Sequence, residues 1–241
     1  MLAKRRSFAV GIACAVALAV LAGCRVTPSA APAGTTSAAA GTRGSGEAPA
    51  GALAYAIDPA RSVVTVVVRR AGPLARFGHD HVITSADEHG TVWLGSVPAG
   101  SAFVMILPVD RFEVDLPAAR AAVGPEFSAP VPDEARAGTR QNLLRTEVLD
   151  AAAFPEITLR SSGASGDWPQ ALVQVAVTLK GVERVQSVPV SITRDATGLV
   201  ASGALRLRQS DFGITPFSVA GGAIQVADLL EVSFVIAAVR R

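Results

Sequence analysis

Cysteine is scarce in this 241-residue chain, and the two that occur, Cys14 and Cys24, both lie near the N-terminus. Residues 25–241 therefore contain no thiol for a disulfide bond, a cysteine zinc site or a cysteine nucleophile. Stability must come from a packed apolar core, and residues 53–241 are numerous enough to form one domain with such a core.

Catalytic sequence motifs are also missing. The chain has no Gly-x-Ser-x-Gly nucleophile elbow, no His-Glu-x-x-His zinc motif and no glycine-rich phosphate loop. The Asp-Phe-Gly triplet at 211–213 matches a kinase motif in its letters alone, so we interpret it as a turn. Glu126, Asp133 and Glu134 are interpreted as solvated loop acids. The sequence therefore predicts a protein that is not an enzyme.

Neither charge nor aromatic content favours nucleic-acid binding. Charged residues make up 17% of the chain and aromatic residues 5%, and the arginines are scattered. The formal net charge of +2 includes Lys4, Arg5 and Arg6, so the chain without residues 1–23 has a formal charge of −1. We expect no nucleic-acid partner.

The longest uninterrupted apolar run lies at the N-terminus. It spans 8–20, follows three basic residues and is short for a membrane-spanning helix, which is typical of a signal peptide. Leu21-Ala22-Gly23-Cys24 follows directly and resembles the lipobox of bacterial lipoproteins. The resemblance implies removal of residues 1–23 and acylation of Cys24 by fatty acids such as palmitate. The alternative is an ordinary secretory signal with an incidental cysteine.

Residues 24–52 are rich in Ala, Gly, Ser, Thr and Pro and have almost no large apolar side chains. Such a segment cannot bury enough surface to offset its conformational entropy, so a disordered tether is predicted. As a flexible coil it would hold the domain on the order of 25–30 Å from the lipid anchor. The predicted organisation is a lipoprotein signal peptide over 1–23, a lipidated tether over 24–52 and one domain over 53–241.

The domain consists mainly of β-strand patterns. Valine-rich or apolar runs between turn residues, and alternation of apolar with polar residues, indicate strands with one buried face. One helix is predicted over about 134–146, with Asp133 as its cap and Leu143 and Leu144 on its apolar side. About eight strands and one short helix predict an all-β, antiparallel up-and-down barrel. The clearest strand segments are 62–68, 91–94, 102–107, 172–180, 199–207 and 224–236.

Several short sequence pieces follow one another along the domain, and together they are similar to the YceI-like domain family. One of them is Gly78-His79-Asp80-His81-Val82. The resemblance implies a lipocalin-like barrel outside the cytoplasm, whose relatives bind long isoprenoid chains, such as quinone-type lipids, in an apolar cavity. The chain departs from the family pattern at Arg61-Ser62, where many relatives have His-Ser, and over 124–141. The matching pieces are 55–58, 61–64, 78–82, 149–157, 177–184, 203–205 and 210–214.

A barrel of about this size can hold one small ligand. Burying a methylene contributes about 0.8 kcal/mol, so a few isoprene units would offset the ordering of a flexible tail. The alternative is that the same side chains fill the barrel, which periodicity cannot distinguish. The candidate cavity residues are Val64, Val66, Val68, Phe103, Met105, Leu107, Val175, Val177, Leu205, Phe212, Val232 and Phe234.

Polar chemistry concentrates in Arg76–Ile83. On a strand, the spacing of His79 and His81 would place both imidazoles on one face as a feasible pair of metal ligands. His89 or Asp80 would then add a third ligand, although the sequence specifies none, and no metal is expected. The alternatives are a structural role and contact with the head group of a ligand near the cavity mouth.

The sequence thus predicts an envelope lipoprotein, tethered outside the cytoplasm through Cys24, whose barrel binds or carries an amphiphilic lipid. By resemblance, that lipid is isoprenoid or quinone-like, and no other cofactor is required. A metal-binding or redox-related protein using His79 and His81 is one alternative, and an envelope module that binds another protein is a second. The membrane to which it is anchored and the oligomeric state, a homodimer included, stay open.

Overall fold

A computed structural model of the protein describes residues 48–241. The signal peptide predicted over 1–23, the predicted lipidation site Cys24 and the tether up to residue 47 lie outside the described residues. Within residues 48–241, none of the helices has the length and the hydropathy needed to span a membrane.

Twelve strands and two α-helices make up this part of the chain, and each of the six clearest predicted strand segments overlaps an observed strand. The helices are α1 (Pro117–Val123) and α2 (Asp133–Leu143). The strands are β1 (Leu53–Ile57), β2 (Val63–Ala71), β3 (His81–Thr84), β4 (His89–Leu94), β5 (Ala102–Pro108), β6 (Glu113–Val114), β7 (Glu156–Asp167), β8 (Gln170–Leu179), β9 (Val182–Arg194), β10 (Gly198–Arg208), β11 (Ser218–Val219) and β12 (Ile224–Arg240).

The strands form a closed antiparallel barrel with eight strand positions around its circumference, which we call paths. Three of these paths are interrupted. In those three, β1 continues as β2, β3 as β4 and β5 as β6, and the remaining paths are β7, β8, β9, β10 and β12. Each path pairs with the next one along the chain. The barrel closes because β12 pairs with both β1 and β2, with Ile57 opposite Ala238 and Val66 opposite Val232. This confirms the predicted up-and-down barrel.

The interruption between β1 and β2 is a 3₁₀ turn over Pro59–Arg61. The side chain of Asp58 accepts a hydrogen bond from the backbone N of Ala60 at 3.1 Å. The hydroxyl of Ser62 donates to the carbonyl of Asp58 at 2.7 Å and accepts from the backbone N of Ala237 at 3.0 Å. Ser62 therefore keeps the chain attached to β12 across the break.

Strand β8 shows why the alternation in the sequence predicts the barrel interior. Its side chains point alternately to the two faces of the sheet. Val173, Val175 and Val177 are 8%, 6% and 3% exposed, whereas Leu172 on the opposite face is 41% exposed. One face of the strand is therefore part of the core, as the sequence pattern requires.

The helices differ from the prediction in two respects. Helix α2 begins at Asp133, so Asp133 is the first helical residue, and the cap position is held by Pro132, which has no side-chain oxygen to offer. The helix ends at Leu143, before the predicted end, because the carbonyl of Leu143 accepts the N–H of Leu149 at 3.2 Å in a non-helical turn. Helix α1, over Pro117–Val123, is a second helix besides the one predicted. As predicted, Leu143 and Leu144 pack against the core.

A small apolar cluster on the outside of the barrel holds the segment around α1. Val67, Val82 and Phe127 are buried in it, at 7%, 0% and 1% exposure, and Ala119 and Val123 of α1 pack against them. This contact places α1 and the loop that follows it against the outer faces of β2 and β3. Asp115, which precedes α1, lies within hydrogen-bonding distance of His81.

Candidate functional site

The barrel interior contains an apolar cavity with two adjoining lobes. The first lobe has a volume of about 130 Å³ and the second about 230 Å³. Val64, Leu159, Leu205 and Val232 line both lobes, so the lobes meet at these four side chains. Either lobe is far larger than the space that one water molecule occupies. The core side chains therefore do not fill the barrel.

The first lobe is lined almost entirely by apolar side chains. Its two serines are already engaged with the backbone: Ser101 accepts a hydrogen bond from the N–H of Gly95, and Ser161 from that of Phe103, both at 2.9 Å. The indole of Trp168 also lines this lobe and donates its N–H to the carbonyl of Gly95 at 3.2 Å. This lobe suits a hydrocarbon, because few polar groups in its wall are left to be satisfied.

All twelve candidate cavity residues line the cavity, although their contact with a ligand stays a prediction. Phe103, Met105, Val175 and Phe234 line the first lobe; Val66, Val68, Leu107, Val177 and Phe212 line the second; Val64, Leu205 and Val232 line both. Trp168, in the turn between β7 and β8, Leu143 at the end of α2 and Leu149 after it also line the cavity but were not predicted to do so. Strand alternation gives no signal for such positions.

Polar side chains gather in the second, larger lobe. His81, Ser85, Thr139, Asn142, Arg208 and Gln209 all line it. The side chain of Arg208 is 59% exposed, so this lobe reaches the protein surface. The cavity is therefore asymmetric, with an apolar lobe and a lobe that combines apolar walls with hydrogen-bonding groups. An amphiphilic molecule would be oriented by this difference.

The two histidines singled out by the sequence do not share one strand face. Strand β3 begins at His81, so His79 lies before the strand and is exposed, whereas His81 is half-buried and lines the larger lobe. Asp80 forms ion pairs with Arg69 and Arg70, and His89 is exposed. The strand over both histidines that a shared face would require therefore does not form, because β3 includes only His81. In residues 48–241, no group of three or more His, Cys, Asp or Glu side chains is arranged to hold a metal ion.

Asp115 connects His81 to a buried arginine. Its Oδ2 lies 2.6 Å from Nδ1 of His81, and its Oδ1 accepts hydrogen bonds from the N–H of Val82 at 2.9 Å and from Nη1 of Arg120 at 2.7 Å. Asp115 is 1% exposed and Arg120 is 7% exposed. Asp115 has a left-handed backbone, with φ of 52°, and comes directly after β6. A buried carboxylate is thus paired on both oxygens.

Arg120 of α1 is held by several partners besides Asp115. Its guanidinium donates to the carbonyls of Asp80 at 3.0 Å, Phe127 at 3.1 Å and Ala129 at 3.3 Å, and it lies 5.3 Å from the centre of the Phe127 ring. No periodic pattern points to this pair, because Asp115 precedes α1 and Arg120 lies within it, five residues further along. By contrast, the three acids expected to be solvated, at 126, 133 and 134, are all exposed.

Burial alone would raise the pKa of Asp115, but its hydrogen bonds outweigh that effect. The hydrogen bonds with His81, the N–H of Val82 and Arg120 together hold the pKa of Asp115 below its ordinary value of 3.8. Because the unfolded chain then binds a proton more readily than the folded one, Asp115 stabilises the fold above about pH 4.

We expect this contribution to be lost as the pH falls through the lowered folded-state pKa of Asp115. Asparagine tolerates left-handed backbone, so Asp115→Asn is a suitable comparison. The free energy of unfolding of the wild type should exceed that of the variant at pH 7, and the difference should shrink below about pH 4. Urea unfolding at a series of pH values measures it. Asp195 and Asp228, whose pKa values are also lowered, are present in both proteins and cancel. A difference that is independent of pH would contradict the expectation.

Glu88 is a second buried carboxylate, but it is unpaired. The residue is 0% exposed, and within residues 48–241 neither of its oxygens has a hydrogen-bond partner. An unsatisfied buried group carries its full desolvation cost, which is about 1–3 kcal/mol or more for a charged group.

Glu88→Met is therefore expected to raise the free energy of unfolding by about 1–3 kcal/mol, because an apolar side chain of similar size removes that cost. Urea unfolding at pH 7 measures the change. The control is Glu134→Met on the exposed surface of α2, which should change stability by less than about 0.5 kcal/mol. Loss of stability in the Glu88 variant would show that the carboxylate has a stabilising partner.

The fold and the cavity define a lipocalin-like antiparallel barrel with a hollow apolar interior. The chain belongs to the YceI-like domain family, whose family model matches residues 55–238. This confirms the family that the sequence pieces indicated.

Two solved structures have a similar fold. BcnA from Burkholderia cenocepacia is 17% identical, with a TM-score of 0.56 over 75% of this chain and 98% of BcnA. A polyisoprenoid-binding domain from Saccharophagus degradans is 13% identical, with a TM-score of 0.55 over 78% of this chain and 99% of that domain. At these identities the similarity shows a shared fold. Comparison with curated proteins found no significant match.

Proposed function

We propose that this protein binds a polyisoprenoid lipid inside its barrel. The observation that carries the proposal is the two-lobed apolar cavity, with lobes of about 130 and 230 Å³ that meet at four shared side chains. The related domain from Saccharophagus degradans is described as polyisoprenoid-binding, which supports this class of ligand.

The shape and the chemistry of the cavity favour a long, flexible chain with a polar end. A hydrocarbon tail that occupied both lobes would contact Val64, Leu159, Leu205 and Val232, which line both of them. Each buried methylene contributes about 0.8 kcal/mol, so several isoprene units exceed the cost of ordering the tail. A polar end remains in the larger lobe, which holds the hydrogen-bonding side chains and reaches the surface. Prenols and quinone-type lipids both have this form.

We further propose that the barrel works at a membrane of the bacterial cell envelope, outside the cytoplasm. Support comes from the lipobox-like sequence ending in Cys24 and from the composition of residues 25–50, which suits a flexible tether. The acylated cysteine would keep the cavity within reach of the membrane lipids that supply its ligand. The protein would then carry or sequester the lipid without transforming it.

Extraction of lipid from the purified, processed chain tests the proposal. Native mass spectrometry should detect a bound mass of about one lipid per barrel, and analysis of the organic extract should identify an isoprenoid. Delipidated protein should take up an added prenol. Protein that carries no extractable hydrophobic molecule and takes up no isoprenoid would contradict the proposed function.

A further inference from the structure

His81 is the imidazole that the barrel presents to its larger lobe. The residue begins β3, lines the lobe, and has a side chain that is 16% exposed. An imidazole in such a place is either a structural element of the wall or a contact for a ligand. The hydrogen bonds of its two ring nitrogens distinguish these roles.

Nδ1 of His81 forms a hydrogen bond with the carboxylate of Asp115. The carboxylate of Asp115 can only accept hydrogen bonds when ionised, and the N–H of Val82 and the guanidinium of Arg120 favour the ionised form. Nδ1, at 2.6 Å from Oδ2, must therefore carry a proton and donate it. This bond fixes both the tautomer and the orientation of the ring.

Nε2 of His81 is left for a ligand. It has no hydrogen-bond partner within residues 48–241. The nearby polar groups of the lobe are occupied in part: Ser85 accepts from the N–H of Val64 at 2.9 Å, and Gln209 donates to the carbonyl of Ala227 at 2.8 Å. A ring nitrogen without a protein partner, on the wall of a largely apolar lobe, matches a single polar group of a bound molecule.

The charges of His81, Asp115 and Arg120 determine which kind of ligand group can bind to Nε2. Arg120, at 2.7 Å, balances the negative charge of Asp115, so a second proton on His81 would leave an uncompensated positive charge beside the apolar lobe. In the neutral ring with a proton on Nδ1, Nε2 carries a lone pair and accepts a hydrogen bond. The ligand group that binds it must then donate a hydrogen bond. An alcohol or a hydroquinone has a hydroxyl group that can do so, whereas a quinone or an ether has none.

We propose that Nε2 of His81 is the head-group site of the cavity and that it selects isoprenoids that end in a hydroxyl group. The inference rests on the proposed function, since it places the polar end of the same ligand. Asp115 and Arg120 act as positioning residues, because they hold the imidazole in the accepting tautomer without touching the ligand.

Two probes with the same chain test the selection. Geranylgeraniol donates a hydrogen bond, whereas geranylgeranyl methyl ether does not. Quenching of tryptophan fluorescence follows binding, because Trp168 lines the first lobe. The wild type should bind the alcohol about two- to tenfold more tightly than the ether, as expected of one neutral hydrogen bond. His81→Phe should bind both probes equally, with an ether affinity close to that of the wild type.

His89→Phe is the matched control, because His89 is exposed on β4 and does not line either lobe. It should keep the preference for the alcohol. Equal affinity of the wild type for the two probes, or a preference that survives in His81→Phe, would overturn the head-group assignment and leave the proposed function intact. Failure of both probes to bind the wild type would overturn the proposed function instead. If His81→Phe does not fold, the comparison within the wild type decides.

Discussion

Val232→Trp is expected to abolish the binding of isoprenoids long enough to occupy both lobes. Val232 lies on β12, is 8% exposed and lines both lobes, so a larger side chain there takes up space where the two lobes adjoin. Adding an indole to a packed wall also costs about 1–3 kcal/mol of stability, which the barrel can tolerate. Titration of delipidated protein with geranylgeraniol measures the affinity, and the organic extract of the purified variant should contain no isoprenoid.

Val235→Trp provides the control on the same strand. Val235 points to the opposite face of β12 and is 43% exposed, so tryptophan there adds bulk without entering the cavity. Its affinity for geranylgeraniol should match that of the wild type. Circular dichroism confirms that both variants fold. If Val232→Trp binds the lipid as tightly as Val235→Trp does, the ligand site is not the interior of the barrel.

The strands were predictable because a barrel wall imposes a simple pattern on its sequence. In β8, Val173, Val175 and Val177 must face inward while Leu172 and Gln174 face outward, and this alternation is visible without any tertiary information. The same pattern could not show whether the barrel is hollow. That outcome depends on how far the inward side chains reach across the interior, which only the closed structure determines.

The polar cluster of His81, Asp115 and Arg120 was not predictable, because no regular helix or strand spacing connects its members. His81 begins β3, Asp115 follows β6 34 residues later, and Arg120 lies on α1 five residues after Asp115. The spacing of His79 and His81 suggested a shared face, but the inference required a strand over both, and β3 begins at His81. The motif therefore indicated a residue that lines the cavity, but the spacing of its two histidines did not predict their relative positions. Its second histidine, His81, is oriented by a hydrogen bond with Asp115, 34 residues further along the chain.

Arg120→Met is expected to destabilise the fold by about 3–5 kcal/mol, because it leaves the carboxylate of Asp115 buried without its cationic partner. It also removes the donors to the carbonyls of Asp80 and Phe127. Urea unfolding at pH 7 measures the loss. The control is Arg136→Met on α2, whose partner Asp133 is 93% exposed, and which should cost no more than about 0.5 kcal/mol.

A double variant separates the buried charge from the lost carbonyl contacts. With Asp115→Asn added to Arg120→Met, the buried carboxylate no longer exists, so the double variant should be more stable than Arg120→Met alone. It should remain less stable than the wild type, because the carbonyls of Asp80 and Phe127 still lack their donor. A double variant no more stable than Arg120→Met would mean that Arg120 acts only through α1 packing. In that case Arg120 would not hold Asp115 ionised beneath His81, and the tautomer that presents Nε2 to the cavity would lose its support.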